Sequence, residues 1–167
     1  MKKSPTNYAF IDSQNLNMGI KALKWNLDFK KFHKYLEEKY LVKRAYIFIG
    51  YMPENQELYT KLQEFGYILI FKPVLQTKDG KVKGNCDAEL VLQAMIDYKE
   101  YRKAIIVTSD GDFHCLVDHL YKEDKLERVL SPHRRYCSIL LKKSAKEKIY
   151  YMDNLKKKLS YEKKKHR

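Results

Sequence analysis

The sequence predicts an α/β domain of three layers, helices on both faces of a mainly parallel central sheet. Three observations carry that expectation. Short apolar strands alternate with amphipathic helical stretches along most of the chain, the pattern of strands joined by helical crossovers. One strand, Ile105-Ile106-Val107, is a run of β-branched residues without polar alternation, which suits a central strand covered on both faces. Acids stand just past two of the strands, Asp12 after the first and Asp110 and Asp112 after the one at 105–107. Open α/β sheets bind their ligands at that end.

The elements follow in order. Tyr8 to Ile11 is an apolar run ending at Asp12, the first strand, and Ser13-Gln14-Asn15-Leu16-Asn17 reads as a polar turn. Between Trp25 and Tyr40 the apolar residues fall on one helical face, with Asp28 near the start. Arg44 to Gly50 is the second strand. Pro53 opens a helix carrying Leu58, Leu62 and Phe65, and Gly66 stops it. Tyr67 to Phe71 is the third strand. Lys72 to Asn85 is a lysine-bearing stretch whose Asp79-Gly80 pair marks the tip of a hairpin or an exposed loop. Asp87 to Tyr98 is a helix with Leu90, Val91, Ala94 and Met95 inward. After the strand at 105–107, Asp112 stands at the N-cap of a helix from Phe113 to Lys122. Leu126 to Leu130 is a weaker strand ended by Pro132. Tyr136 to Lys146 reads as helix, Ile149 to Met152 as a small last strand, and Asp153 onward as a charged helix that frays.

The 167 residues make one ordinary domain. The expected division is a domain over residues 1–152 and a basic tail, helical or disordered, over 153–167. A 44% hydrophobic content supplies a real core, yet no apolar run is long enough to span a membrane. The first residues lack the apolar segment of a signal peptide. Cys86, Cys115 and Cys137 are an odd, widely spaced set read as reduced thiols. Together these features predict a cytoplasmic protein with no membrane partner.

A formal charge of +13 predicts a polyanionic partner, most simply nucleic acid, with an acidic membrane surface as the lesser option. Residues 142–167 hold eleven Lys or Arg against three Asp or Glu, so most of that excess lies in the tail. Attraction of that kind is general rather than sequence-reading. Composition leaves room for a homodimer or a partner protein.

The acids give a sharper expectation. If the strand order reverses beside the first strand, the strands ending at Asp12 and Asp110 are neighbours and their carboxyl ends meet. Asp87 opens the helix leading into the second of them, which puts it at the same rim. Four carboxylates, Asp12, Asp87, Asp110 and Asp112, would then converge, an arrangement that raises their pKa values unless a cation joins them. Mg²⁺ or Mn²⁺ suits such oxygen ligands and supports phosphodiester hydrolysis. Asn15, one turn from Asp12, is expected to hydrogen-bond a ligating carboxylate or a substrate phosphate, as are Thr108 and Ser109, with Lys83 as a further candidate contact to the phosphate. As plainer readings, Asp87 suits any helix start, Asp112 any N-cap, and Asn15 any turn.

Three segments also carry a family resemblance. Phe10-Ile11-Asp12-Ser13-Gln14-Asn15-Leu16 resembles the opening motif of NYN domains, in the LabA-like branch of the PIN-like nucleases. Lys83-Gly84-Asn85-Cys86-Asp87-Ala88-Glu89-Leu90 resembles their second motif, and Val107-Thr108-Ser109-Asp110-Gly111-Asp112-Phe113 their third. The motifs stand in family order, and the likeness runs from about Asn7 to Met152. Cys86 departs from the pattern, standing where such domains usually have an aliphatic residue. The resemblance implies a PIN-like, Rossmann-like fold and a metal-dependent ribonuclease or RNA-processing role. It carries over Asp12, Asp87, Asp110 and Asp112 as acids of the site, with Asn15 as polar companion.

The leading expectation is therefore a Mg²⁺- or Mn²⁺-dependent ribonuclease. Its alternative is a non-catalytic RNA-binding or regulatory module of a nuclease complex, motivated by the charge. A small-molecule phosphohydrolase is weaker, since such a reaction has no use for a basic tail.

Overall fold

The computed structural model describes residues 6–80, 82–83 and 86–163, apart from the side chains of Gln76, Val82 and Lys83. Its core is a six-stranded sheet built from β1 (Asn7–Asp12), β2 (Val42–Tyr51), β3 (Ile68–Pro73), β6 (Ala104–Val107), β7 (Leu126–Ser131) and β8 (Ile149–Tyr151). All neighbours pair in parallel, in the order β3-β2-β1-β6-β7-β8. The chain builds outward from β1 to β3 on one side, then returns to β6 and builds outward to β8 on the other. The reversal lies between β1 and β6, which pair from Tyr8 with Ala104 to Ile11 with Val107. A separate antiparallel hairpin joins β4 (Leu75–Gln76) to β5 (Val82–Lys83), with Gly80 at a φ of +72° in its turn.

Side chains of one strand alternate between faces, and the central strands feed two cores. Ala9 and Ile11 of β1, with Ile105 and Val107 of β6, face a core shared with α1 (Ser13–Ala22), α2 (Phe29–Tyr40) and α7 (Lys156–Leu159). Leu62 of α3 (Gln56–Glu64) packs there too. Tyr8, Phe10, Ala104 and Ile106 face the other core, closed by α4 (Asp87–Ile96), α5 (His114–Lys122) and α6 (Ile139–Ala145). This is the three-layer α/β/α domain expected, and its central strands are covered on both sides.

Four local expectations are corrected. The polar stretch 13–17 is the first part of α1 rather than a turn. Asp12 caps it, accepting a hydrogen bond from the Asn15 N–H, and Leu16 and Ile20 bury its inner face. The second helix begins at Phe29, not Trp25, because Asp28 caps it by accepting from the Lys31 N–H. Leu27 forms an antiparallel bridge with Ser160 instead. Met95 points outward, at 41% exposure. The sixth helix starts at Ile139 behind a Ser138 cap, after a 3-10 turn at Arg134–Tyr136.

Past β8, a 3-10 turn at Met152–Leu155 and the short α7 place Met152, Leu155 and Leu159 in the same core as Ile11 and Trp25. The Asp28 N–H donates to the Leu159 carbonyl at 2.8 Å, and the Tyr161 N–H to the Asn26 carbonyl at 2.8 Å. Residues 155–161 thus pack on the domain, while Lys156, Lys157 and Lys158 stay exposed. Residues 164–167 of the tail, and Lys81, Gly84 and Asn85 of the loop, lie outside the described residues. Among the described residues no helix is long and apolar enough to cross a membrane.

Candidate metal centre

The site lies at the carboxyl ends of β1 and β6, where the sheet order reverses. Asp12 is the last residue of β1, Asp110 follows β6 by three positions, and Asp87 begins α4, which packs on β1. Each of the three offers a carboxylate oxygen, and these oxygens lie within 4.8 Å of one another. All three residues are half-buried. Asp87 sits in the first turn of its helix, where the dipole favours a negative charge.

Short hydrogen bonds lock the arrangement. The Thr108 hydroxyl donates to Oδ2 of Asp12 at 3.1 Å and accepts from the Asp110 N–H at 3.1 Å. One hydroxyl therefore couples the two acids. The Asn15 N–H donates to the other Asp12 oxygen at 3.3 Å, and the Asn15 side-chain oxygen accepts from the Ser109 N–H at 2.7 Å. Asn15 thereby ties α1 to the loop after β6. Asp110 accepts from the Asp112 N–H at 2.9 Å and so caps the 3-10 turn at Gly111–Phe113. Asp110 is the cap, not Asp112, because the helix begins with that tighter turn.

Asp112 is exposed and is not one of the three acids brought together. Thr108 and Ser109 are buried, and their hydroxyls point to protein partners: Thr108 to Asp12, Ser109 to the Ser131 hydroxyl at 2.7 Å. The Thr108 hydroxyl thus holds Asp12, and the Ser109 hydroxyl joins the loop after β6 to the end of β7. The side chain of Lys83 lies outside the described residues.

Two supporting residues were missed in the sequence. Ser131, at the end of β7, is fully buried beneath Ser109, and nothing local in its segment marks it. The Ser138 N–H donates to the Ser109 carbonyl at 3.1 Å, and a Cβ at Gly111 would collide with the Ser138 hydroxyl. Gly111 is thus required by close approach. Ser138 caps α6, a signal legible as a serine ahead of an apolar run.

Burial pushes the Asp12 carboxyl up to about 6 from an ordinary 3.8. The hydrogen bonds from Asn15 and Thr108 oppose that shift, and the Asp87 and Asp110 charges add to it. Desolvation thus contributes more than the like-charge repulsion among the acids. Burial also pushes the Cys86 thiol up to about 11, and Cys86 carries no disulfide. A cavity of about 430 Å³ opens beside the acids, with Asp12 and Cys86 in its wall.

A profile of the NYN domain matches residues 8–153. The chain belongs to the NYN domain family. NYN domains form part of the PIN-like nuclease superfamily, which accounts for the cluster at this end of the sheet. A solved structure, a protein of unknown function from Vibrio parahaemolyticus, superimposes with a TM-score of 0.71 at 23% identity, over 92% of this chain and 96% of that one. At that identity the likeness supports the fold. No curated protein matches the chain. Within this NYN domain the three motif segments supply the three gathered acids, one each.

The donor set fits a hard divalent ion. Three carboxylates can be satisfied by Mg²⁺ or Mn²⁺, which take oxygen ligands and keep several waters. Oxygens up to 4.8 Å apart suit one ion approached directly by some acids and through water by others.

Proposed function

We propose that this NYN domain is a ribonuclease that hydrolyses phosphodiester bonds with Mg²⁺ or Mn²⁺ held by Asp12, Asp87 and Asp110. The observation that carries the reading is their convergence, from three chain segments, with oxygens within 4.8 Å. A bound divalent ion supplies positive charge to the phosphate oxygens and makes water acidic enough to react near neutral pH. The chain's own residues prepare that chemistry. Thr108 and Asn15 fix the two oxygens of Asp12, and Thr108 also fixes the backbone of Asp110. Preorganisation of this kind spares the site from reordering as charge develops. Asp112, exposed at the rim, is placed in the proposal as an acid that orients water. Lys83, on β5, remains a candidate for phosphate contact. The +13 charge supports RNA as the substrate.

The test is cleavage of labelled RNA with Mn²⁺, with EDTA, and by Asp110→Asn. Chelation should stop the reaction. The variant should lose more than the ~10–100-fold that removal of even an outer-shell partner costs a metal site. Equal cleavage by wild type and variant overturns the proposal.

The tail charge favours one second reading, a non-catalytic RNA-binding or regulatory module, alone or with a partner protein. It predicts RNA binding that survives Asp110→Asn and needs no divalent ion.

A further inference from the structure

The cavity beside the acids is larger than a metal centre requires. At about 430 Å³ it falls within the ~300–1,000 Å³ of sites that enclose a small organic group. Its wall combines two chemistries. Phe48, Met52 and Leu58 give it apolar surface, and Gln14, Asn17 and Asn55 give it three side-chain amides. An amide presents a donor and an acceptor together, as does the edge of a nucleobase. Among the described residues no Lys or Arg lines it. Asp12 belongs both to this wall and to the metal cluster. Whatever occupies the cavity therefore lies next to the group held by the acids.

We infer that the cavity receives one unpaired nucleobase of the RNA, that of a nucleotide adjoining the bond to be cut. The inference rests on the nuclease reading and gives it a substrate class: single strands and loops, not continuous duplex. A base held in a helix presents its neighbours' stacked faces and cannot enter a pocket, whereas an unstacked base can be enclosed and read on its edge. The position fits a strand lying across the rim. The cavity lies beside Gly50 and Val74, past the end of the β2–β3 side. On the other side of the acids, the 3-10 turn after β7 sets Arg134 and Arg135 at the same edge, where a continuing backbone would pass.

The experiment titrates each of the four nucleoside 5′-monophosphates, with ribose 5-phosphate as control, into isotopically labelled protein in EDTA, and records amide and methyl NMR shifts. At least one nucleotide should move Asn17, Asn55 and Leu58, and the sugar phosphate should not. Leu58→Trp, at a position 41% exposed, should fill the cavity and abolish the shifts. Asn17→Ala, on the exposed side of α1, should weaken binding by several-fold without changing the melting temperature. In Mn²⁺, wild type should cut an unpaired site at least about tenfold faster than the same site in a duplex, in line with the energy of one base contact. Shifts equal for nucleotide and sugar phosphate, or unchanged in Leu58→Trp, overturn the inference. If nucleotides seat in the cavity but no RNA is cut, the nuclease reading fails alone. If RNA is cut and the cavity does not respond, the cavity assignment fails alone.

Discussion

Thr108 shows how much depends on single atoms at this site. Its hydroxyl donates to Asp12 and accepts from the Asp110 N–H. Thr108→Val keeps the shape but leaves a buried N–H without its acceptor, at a cost of about 1–3 kcal/mol. The variant should melt earlier and bind Mn²⁺ more weakly, while Thr108→Ser should recover most of both; thermal melting and metal titration check this. Asp12 makes a pH prediction. Its carboxyl titrates near 6 in the folded chain against 3.8 ordinarily, so between those values the folded chain holds a proton that the unfolded chain has released. The corresponding destabilisation is absent below about pH 4, grows as pH rises, and is complete above about pH 6, reaching roughly 3 kcal/mol. Asp12→Asn should therefore be the more stable protein at pH 7 in chelator and lose that advantage toward pH 4. A divalent ion should close the gap from the wild-type side. The residues that form the cluster were legible because each acid sits at a strand or helix end. The helix cap was not, and neither was the choice between carboxylate and phosphate as the partner of Thr108. A hydroxyl's partner is set by the strand beside it, and the choice between Asp110 and Asp112 as cap turned on one turn of 3-10 geometry.

At the scale of elements, apolar runs marked every strand of the main sheet, most plainly β1 and β6, whose burial on both faces tolerates little else. α1 was hidden by the polarity of Ser13 to Asn15, which face the rim rather than the core; the pair Leu16 and Ile20, four apart, was its only apolar trace. The tail was hidden by its lysines. Between them Leu155 and Leu159 reach the core, Leu159 fully buried, and a pattern of two residues in a basic run is too sparse to read as an apolar face. Leu159→Ala should cost about 2–5 kcal/mol, whereas Lys157→Ala, exposed nearby, should leave denaturant midpoints within error. Equal midpoints for the two would mean that residues 155–161 contribute nothing to stability.

Over the whole molecule, charge and site act at different ranges. The acids hold a local negative pocket inside a chain of net charge +13. Long-range attraction should deliver RNA to the protein, with the ion making the last few ångströms acceptable to a phosphate. Binding to single-stranded RNA should weaken with salt, the logarithmic slope being about −0.7 for each phosphate neutralised. Replacing Lys156, Lys157 and Lys158 together by Ala should reduce that slope by up to about 2. Asp110→Asn should leave it unchanged, which fluorescence anisotropy over a salt series can read.

The packing of residues 152–159 has one more effect, on the order in which the protein is made. Met152, Leu155 and Leu159 complete the layer over Ile11 and Trp25, yet they are translated well after β1. At ~5–20 residues per second, the roughly 140 residues between the end of β1 and Met152 take about 7–28 seconds, during which that side is not fully covered. During that interval a chaperone would find part of the apolar layer beside α1 and α2 open, and a chain ended just after β8 would keep that part open.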